Sequence, residues 1–150
     1  MYPGLDSKER EYALLKQYKA VFIKGIGHKL SDGHPHDDRA ADYDDWNLNG
    51  DLLYYNQLLD CAFEVSSMGI RVDEHSLVEQ LKIKNEEYKL QYRYHRMILD
   101  QELPYTIGGG IGESRLCMLL MNKAHIGEVQ SSIWDDETLH YCKEKGVIIL

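Results

Sequence analysis

The stretch Ala62-Phe-Glu-Val-Ser-Ser-Met-Gly-Ile-Arg-Val72 decides the fold, because it predicts the longest β-strand of the chain. The run Asp51-Leu-Leu-Tyr-Tyr55 predicts a second strand, and only the short segment 56–60 separates the two. So short a connection is typical of antiparallel neighbours, since parallel strands need a long crossover. The sequence therefore predicts that the two strands are antiparallel neighbours.

Along the chain, helices are predicted both before and after this pair of strands. They are predicted from capping side chains and from apolar residues at helical spacing. They begin at Asp6-Ser7, at Asp73-Glu74 (through about 82), at about Glu86 (through about 99) and at Gly112 (through about 122). In the second of them Leu77, Val78 and Leu81 share one face. In the third, the side chains expected to point inward are those of Leu90, Tyr94, Met97 and Ile98.

Two shorter strands and a long loop complete the prediction. The strands are expected over 20–24 and 128–134, and the tail 147–150 is expected to form either a last strand or a docking end. Residues 25–50 are rich in glycine and aspartate and predict a long polar loop. A loop of that length inside a compact domain is usually functional or disordered.

Composition narrows the class of protein. A chain of 150 residues, 43% hydrophobic and 28% charged, is expected to form one domain with its own core. The net charge of -8 argues against a general nucleic-acid or anionic-membrane binder. Three widely spaced cysteines without a CxxC pair indicate reduced thiols rather than disulfides or a zinc site. No apolar stretch approaches the length of a membrane span, and we expect a cytoplasmic protein.

A glycine-rich segment, Thr106-Ile-Gly-Gly-Gly-Ile-Gly-Glu-Ser-Arg115, leads into the fourth predicted helix. Because Gly108, Gly109 and Gly110 lack β-carbons, a planar or phosphorylated ligand could lie against their backbone. Arg115 falls in the first helical turn, where its guanidinium and the helix N-terminus both favour an anion. The alternative is a tight turn whose glycines only permit close packing. The arginine favours a nucleotide.

The segment 29–46 concentrates the polar residues of the predicted loop. Its charged and imidazole side chains are those of Asp32, His34, His36, Asp37, Asp38, Arg39, Asp42, Asp44 and Asp45. One interpretation is a metal site made by the two histidines and neighbouring carboxylates. The other is an acidic loop that binds an amino group while Arg39 binds a carboxylate, which suits an amino-acid ligand.

The end of the long strand predicts a pocket mouth. In an extended strand Ser67, Gly69 and Arg71 share one face, which changes along the strand from apolar to polar. Glu64, on the other face, could bind magnesium that arrives with ATP. The alternative is a strand that ends in solvent with an ordinary salt bridge. Asp51 could likewise contact a ribose hydroxyl or a metal, or simply cap the turn before it.

Taken together, six motifs resemble ammonia-dependent asparagine synthetase, also called aspartate–ammonia ligase. In that family's order they are Gly27-His-Lys-Leu-Ser-Asp-Gly-His34, Asp42-Tyr-Asp-Asp-Trp46, Leu48-Asn-Gly-Asp51, Phe63-Glu-Val-Ser-Ser-Met-Gly-Ile-Arg-Val72, Thr106-Ile-Gly-Gly-Gly-Ile-Gly-Glu-Ser-Arg115 and His125-Ile-Gly-Glu-Val-Gln130. The resemblance covers nearly all of the chain up to about Trp134. The combined motifs are far more specific than the glycine segment alone.

The resemblance implies an α+β fold, with the helix-flanked antiparallel sheet of class II aminoacyl-tRNA synthetase catalytic cores. Residues 1–150 would be a single domain, the C-terminal portion of that fold. The implied reaction joins ammonia to the β-carboxylate of aspartate through an aspartyl-adenylate, giving asparagine, AMP and pyrophosphate. The implied cofactors are ATP and Mg²⁺. A homodimer is implied for the full-length family member, and neither tRNA nor a membrane is an expected partner.

The resemblance also implies residue roles. The amino-acid side would be lined by Arg39, Asp44, Ser67 and Arg71. The nucleotide side would be lined by Asp51, Glu64, Gly108, Gly109, Gly110 and Arg115, with Glu64 as the metal ligand. The residues implied in catalysis are Arg39, Asp44, Arg71 and Arg115. Their chemistry would neutralise charge that develops on the reacting groups and hold those groups in line.

The chain also departs from the family pattern. Family chains are about twice as long, and the other half would supply part of the sheet, the dimerisation region and further ATP and aspartate contacts. Asn47 alone stands where the family has a longer spacer, and His28 and Pro35 stand where it more often has glycine and arginine. One alternative is therefore a truncated non-catalytic module that binds asparagine or AMP, or docks on a full-length subunit. Another is a fragment of an aspartyl- or asparaginyl-tRNA synthetase.

Overall fold

Four strands form one antiparallel sheet in a computed structural model that describes residues 2, 4–30 and 33–150. The sheet order is β1-β2-β3-β4, with β1 at Ala20–Lys24, β2 at Asp44–Asn56, β3 at Cys61–Arg71 and β4 at Ile107–Ile111. The two long strands are neighbours joined by a short turn, as predicted. In that turn the Leu59 N–H donates to Asn56 Oδ1 at 3.0 Å. Asp60 adopts a left-handed φ of 47°.

The described residues also form five α-helices, which makes the fold α+β. They are α1 (Ser7–Tyr18), α2 (Glu74–Lys84), α3 (Arg93–Leu99), α4 (Glu113–Met121) and α5 (Asp136–Glu144). Three of the predicted starts are confirmed, because Asp6, Asp73 and Gly112 are the N-cap residues of α1, α2 and α4. Asp6 makes a reciprocal capping box with Glu9. Among the described residues no helix combines the length and the apolar character that crossing a membrane requires.

The predicted polar loop over 25–50 is wrong at its end, because β2 begins at Asp44 rather than at Asp51. Polar residues dominate this first half of β2, but Trp46 within it is completely buried. Asn49 is also buried: its side chain accepts from the Ile26 N–H and donates to the Ile26 carbonyl, both at 2.7 Å. Polar strand residues of this kind escape a search for apolar alternation, because their hydrogen bonds replace hydrophobic burial.

The single helix predicted over 86–99 is also wrong. A 3₁₀-helix at Glu87–Gln91 is separated from α3 by Tyr92, whose ψ of 149° is extended. This break rotates the following residues, so that Tyr94 is 49% exposed and His95 is buried in its place. In α2, Leu77 and Leu81 are buried as predicted, but Val78 is exposed and Gln80 is buried. In both helices a hydrogen-bonded polar side chain occupies the inward position.

Three further expectations need correction. Gly108, Gly109 and Gly110, which one interpretation placed in a tight turn, lie in the extended strand β4. The strand predicted over 128–134 is absent, since this part contains only the end of a 3₁₀-helix at Ile126–Glu128 followed by irregular chain. The tail 147–150 is not a strand, although the Leu150 N–H donates to the Gly127 carbonyl at 2.8 Å, as a docked end would. The sequence prediction also missed α5.

Contacts divide the chain into two compact units, 1–21, 53–65 and 111–150 in the first, and 22–52 and 66–110 in the second. The first unit buries Leu15, Leu53, Val65, Met118 and Cys142. The second unit has a core cluster made of Ala41, Trp46, Val72, Leu77, Leu81 and Ile98. The single domain expected over 1–150 stays a prediction.

Candidate active site

A cavity of about 350 Å³ in the second unit contains the four residues predicted for the amino-acid side. They are Arg39, Asp44, Ser67 and Arg71. Arg39 comes from the segment before β2, Asp44 is the first residue of β2, and the other two lie on β3. The predicted common face of Ser67, Gly69 and Arg71 is confirmed, because Ser67 and Arg71 line this cavity and Gly69 faces Asp44 beside it. The cavity lies at the small end of the range for ligand pockets, roughly 300–1,000 Å³.

The first charged pair of this cavity is Arg71 with Asp44. The guanidinium donates through Nη1 to Asp44 Oδ1 and through Nη2, at 2.9 Å, to the hydroxyl of Tyr43. It also lies over the Tyr43 ring, 3.8 Å from the ring centroid. The two charged side chains are 19% and 8% exposed, so solvent screens the pair only weakly. Arg71 is therefore fixed by a carboxylate, a hydroxyl and an aromatic face together.

Two glycines give this pair its space. A β-carbon on Gly69 would lie 2.7 Å from Asp44 Cγ, and one on Gly108 would lie 2.4 Å from Arg71 Nη2. Contacts this short do not occur between real β-carbons and their neighbours, so either side chain would displace the pair. Gly109 and Gly110 line the same cavity. The structure thus gives Gly108 a packing role against an arginine, while the predicted nucleotide contacts of the three glycines stay predictions.

The second charged pair is Arg39 with Asp51. Arg39 donates through Nη2 to Asp51 Oδ2 and through Nη1 to Ser67 Oγ at 3.2 Å. Within the part of the chain that the structure describes, Arg39 Nε and Asp51 Oδ1 are buried without a hydrogen-bond partner. A buried polar atom without a partner is unfavourable and is expected to gain one when a ligand binds. Asp51, predicted for the nucleotide side, is here also the partner of an amino-acid-side arginine.

The segment that contains Asp44 is held by a pair between the half-buried carboxylate of Asp42 and the buried His95, as well as by the core. Asp42 Oδ2 accepts a hydrogen bond from His95 Nε2 at 3.0 Å and lies 3.6 Å from Lys89 Nζ. Burial alone would raise the pKa of Asp42. The hydrogen bond from His95 and the charge of Lys89 outweigh that effect and lower the pKa below its ordinary value.

The remaining predicted residues, Glu64 and Arg115, lie in the first unit. Arg115, in the first turns of α4, donates through Nη1 to the Glu64 carbonyl at 3.1 Å and lies 4.0 Å from Glu64 Oε1. Its side chain is 53% exposed, which leaves most of the guanidinium available to an anion. Both residues line a cavity of about 550 Å³ whose wall includes Lys8 and Tyr12.

The predicted histidine metal site gains no support in the described residues. No cluster of potential metal ligands found there includes His34 or His36. Asp32 lies outside the described residues. In the second unit, carboxylate oxygens of Asp37 and Asp51 approach within 4.8 Å of each other. Magnesium is a hard cation and prefers carboxylate oxygens to imidazole nitrogens. These carboxylates therefore suit magnesium better than the histidines in the alternative metal site would.

Sequence reasoning missed three residues that shape the site: Tyr43, Gln80 and His95. Tyr43 lies within the motif Asp42–Trp46, but its position in the sequence did not predict its cation–π contact with Arg71. Gln80 and His95 lie on helices whose predicted inward faces were apolar. A polar residue three positions from an apolar core residue, as Gln80 is from Leu77 and His95 from Ile98, is common on helix surfaces, so the sequence alone offers no signal that distinguishes these two.

Fold and site together define an α+β protein whose small cavity presents arginines and a carboxylate to a ligand with charges of both signs. The family model for aspartate-ammonia ligase matches residues 1–146. An aspartate–ammonia ligase of Clostridium tetani (strain Massachusetts / E88) is 59% identical over 150 residues, covering 100% of this chain and 44% of that protein. One of Ligilactobacillus salivarius (strain UCC118) is 61% identical over 150 residues, covering 99% and 45%. One of Bacillus cytotoxicus is 58% identical over 146 residues, covering 97% and 45%.

This chain belongs to the aspartate-ammonia ligase family. The family resemblance predicted from the six motifs is thereby confirmed. The chain spans less than half the length of these relatives.

Proposed function

We propose that this chain provides the aspartate-binding part of an enzyme that joins ammonia to the β-carboxylate of aspartate at the expense of ATP. The observation that supports this most strongly is the cavity lined by Arg39, Asp44, Ser67 and Arg71. Aspartate has two carboxylates and one ammonium group. The cavity is lined by two guanidinium groups and two carboxylates, of which that of Asp38 is 80% exposed and paired with Lys84, which leaves Asp44 as the buried carboxylate. The family membership and the names of the relatives favour the same substrate.

The two arginines have unequal roles in this proposal. The hydrogen bonds to Asp44 and Tyr43 already fix the orientation of the Arg71 guanidinium. In the proposal, Arg71 holds one substrate carboxylate while Asp44 accepts from the substrate ammonium. Arg39 still has its buried Nε–H without a partner, and it binds the other carboxylate. Arginine suits both positions because its planar fork of N–H donors matches a carboxylate.

The proposed reaction has two steps. A β-carboxylate oxygen attacks the α-phosphorus of ATP, so that a C–O–P linkage forms and the bond to pyrophosphate breaks. The nitrogen of ammonia then attacks the acyl carbon, the bond to the AMP oxygen breaks, and the nitrogen loses a proton to solvent. Positive groups around the acyl-phosphate would stabilise charge on both leaving groups, and fixed side chains would hold the reactants in line. The class II synthetase likeness of the fold belongs to this proposal.

On the nucleotide side, we assign Arg115 to a phosphate. It lies at the start of α4, where free backbone N–H groups favour an anion, and its side chain is half exposed. Glu64 is the proposed magnesium ligand, since a carboxylate oxygen is the type of ligand that this ion prefers. When bound, magnesium would neutralise phosphate charge.

The test supplies the purified chain with aspartate, ATP, magnesium and ammonium and measures asparagine and AMP. The proposal predicts the two products in equal amounts, and no product with Arg71→Ala. Equal amounts matter because ATP hydrolysis alone would give AMP without asparagine. Asparagine formation that survives Arg71→Ala would contradict the proposed site.

A second candidate requires only the binding cavity and no catalysis. In this alternative the chain binds asparagine or AMP, or docks on a full-length subunit, without turnover. Calorimetric titration with asparagine and with AMP separates the two candidates. Binding without product formation favours the non-catalytic module.

A further inference from the structure

Gln80 is a buried polar residue on α2 that none of the proposed chemistry uses. It is 2% exposed, and both ends of its side-chain amide are bonded. Oε1 accepts from the Trp46 N–H at 2.7 Å, and Nε2 donates to the carbonyls of Ala41 and Asp44, both at 3.0 Å. Gln80 therefore makes three hydrogen bonds with one short segment of backbone.

Those three bonds enclose Asp44. One of them joins Gln80 to the Asp44 carbonyl, and another joins it to the Trp46 N–H. The Gln80 amide therefore fixes the two peptide units that follow Asp44. The bond to Ala41 fixes the chain before it. The Asp44 side chain extends from this fixed backbone, and its carboxylate accepts a hydrogen bond from Arg71. The position of the carboxylate is thus set by a helix residue that lines no part of the cavity.

A glutamine is suited to this task by its chemistry. A side-chain amide can donate and accept hydrogen bonds at the same time. It can therefore pair with both the carbonyl and the N–H groups that alternate along an extended segment. Glutamate has nearly the same shape but, when ionised, can only accept. Methionine has a similar length and neither donates nor accepts strongly. Since Ala41 and Trp46 are buried, the Ala41 carbonyl would lose this partner with either replacement, and the Trp46 N–H would lose its partner with methionine.

We propose that Gln80 is a positioning residue for the substrate amino group, acting through Asp44. This inference rests on the proposed function, because it takes Asp44 as the acceptor for the substrate ammonium. It predicts that loss of the Gln80 amide weakens binding of aspartate without a direct contact between Gln80 and the ligand. A misplacement of about 1 Å at a reacting group can cost on the order of 100-fold, and for a binding contact we expect about a tenfold rise in Kd.

The test compares the intact 150-residue chain with Gln80→Met and Gln80→Glu. Leu77→Val, on the same helix and in the same core cluster, is the matched control, since it removes buried apolar volume and no hydrogen bond to the 41–46 backbone. Calorimetry measures Kd for aspartate and for succinate, which has both carboxylates and no amino group. We expect the aspartate Kd to rise about tenfold in both Gln80 variants, with the succinate Kd unchanged. An equal change for both ligands, or the same change in Leu77→Val, would overturn the proposal.

Two further measurements cover the remaining outcomes. If neither Gln80 variant folds, NMR of the wild-type chain replaces them: the Gln80 side-chain amide should shift when aspartate is added, and an unchanged signal alongside shifted Asp44 signals would overturn the proposal. If the wild-type chain binds neither ligand, the proposed function fails by itself. The positioning claim is then decided by the Asp44 carboxyl signal, which must differ from wild type in the Gln80 variants and not in Leu77→Val.

Discussion

The charged residues of the two units differ in how firmly the protein holds them. In the second unit Arg71 is 19% exposed and is bonded to a carboxylate, a hydroxyl and an aromatic face. In the first unit Arg115 is 53% exposed, bonds one backbone carbonyl and lies 4.0 Å from its nearest carboxylate. Preorganised charge of the first kind suits recognition of a small rigid ligand, whereas an exposed arginine suits a larger anion that brings its own contacts. The difference predicts unequal effects of mutation in the two units.

The largest effect is expected from Arg71→Ala. It removes the partner of the Asp44 carboxylate, which is only 8% exposed, and a buried charge left unpaired typically costs about 3–5 kcal/mol. We expect a clear fall in the temperature of thermal unfolding together with loss of aspartate binding. Arg71→Lys keeps the charge but not the planar fork, so its stability should be intermediate and its aspartate binding still weak. A variant as stable as wild type would show that the pair is not preorganised.

A smaller effect is expected from Gly108→Ala. The new methyl group would meet Arg71 Nη2 at 2.4 Å and push the guanidinium away from the strand. Gly110→Ala is the matched variant in the same strand, because nothing lies within 4 Å of its added carbon. The measurement is the NMR signal of the Arg71 side chain, which should move in the first variant and stay in the second. Equal movement in both would mean that the close contact does not position Arg71.

Arg115→Ala should leave folding almost untouched. Its single backbone hydrogen bond and exposed side chain predict a stability change within about 0.5 kcal/mol. Binding of ATP or AMP, measured by calorimetry, should weaken while binding of aspartate stays the same. Loss of both ligands in this variant would contradict the separate roles assigned to the two arginines.

The smallest effect concerns acid stability. The lowered pKa of Asp42 means that its ionised form stabilises the folded state. The sign follows from linkage: this stabilisation is complete above the ordinary aspartate pKa near about 4 and is lost as pH falls through the lowered value in the folded protein. Asp42→Asn should therefore be less stable than wild type at pH 6, and the gap should narrow below about pH 4. Chemical denaturation across this pH range measures it, and a constant gap would rule out the Asp42–His95 pair as the cause.

The parts of the fold that the sequence predicted well are those with local signals. Capping aspartates at positions 6 and 73 marked helix starts, and apolar runs marked β1 and β3. Prediction failed where polar side chains do the packing. Asp44 and Asn49 resemble loop residues until Arg71 and Ile26 are placed beside them.

The roles of the site residues stay predictions, but the grouping of four of them can be compared with the structure. Arg39, Asp44, Ser67 and Arg71 were named together, and the structure brings all four to one cavity. What could not be predicted is how they are held, since the residues responsible are separated from them along the chain. Gln80 lies 36 positions from Asp44 along the chain, so their hydrogen bond becomes evident only once helix α2 is packed against the 41–46 segment.

The most direct test of the central claim is calorimetric titration of the chain with aspartate and with succinate. If Asp44 and the two arginines form an amino-acid site, aspartate binds and succinate, which lacks the amino group, binds at least about tenfold more weakly. Asp44→Asn should remove that preference, because a neutral amide no longer pairs with an ammonium group. Equal binding of the two acids by the wild-type chain, or a preference that survives Asp44→Asn, would contradict the account.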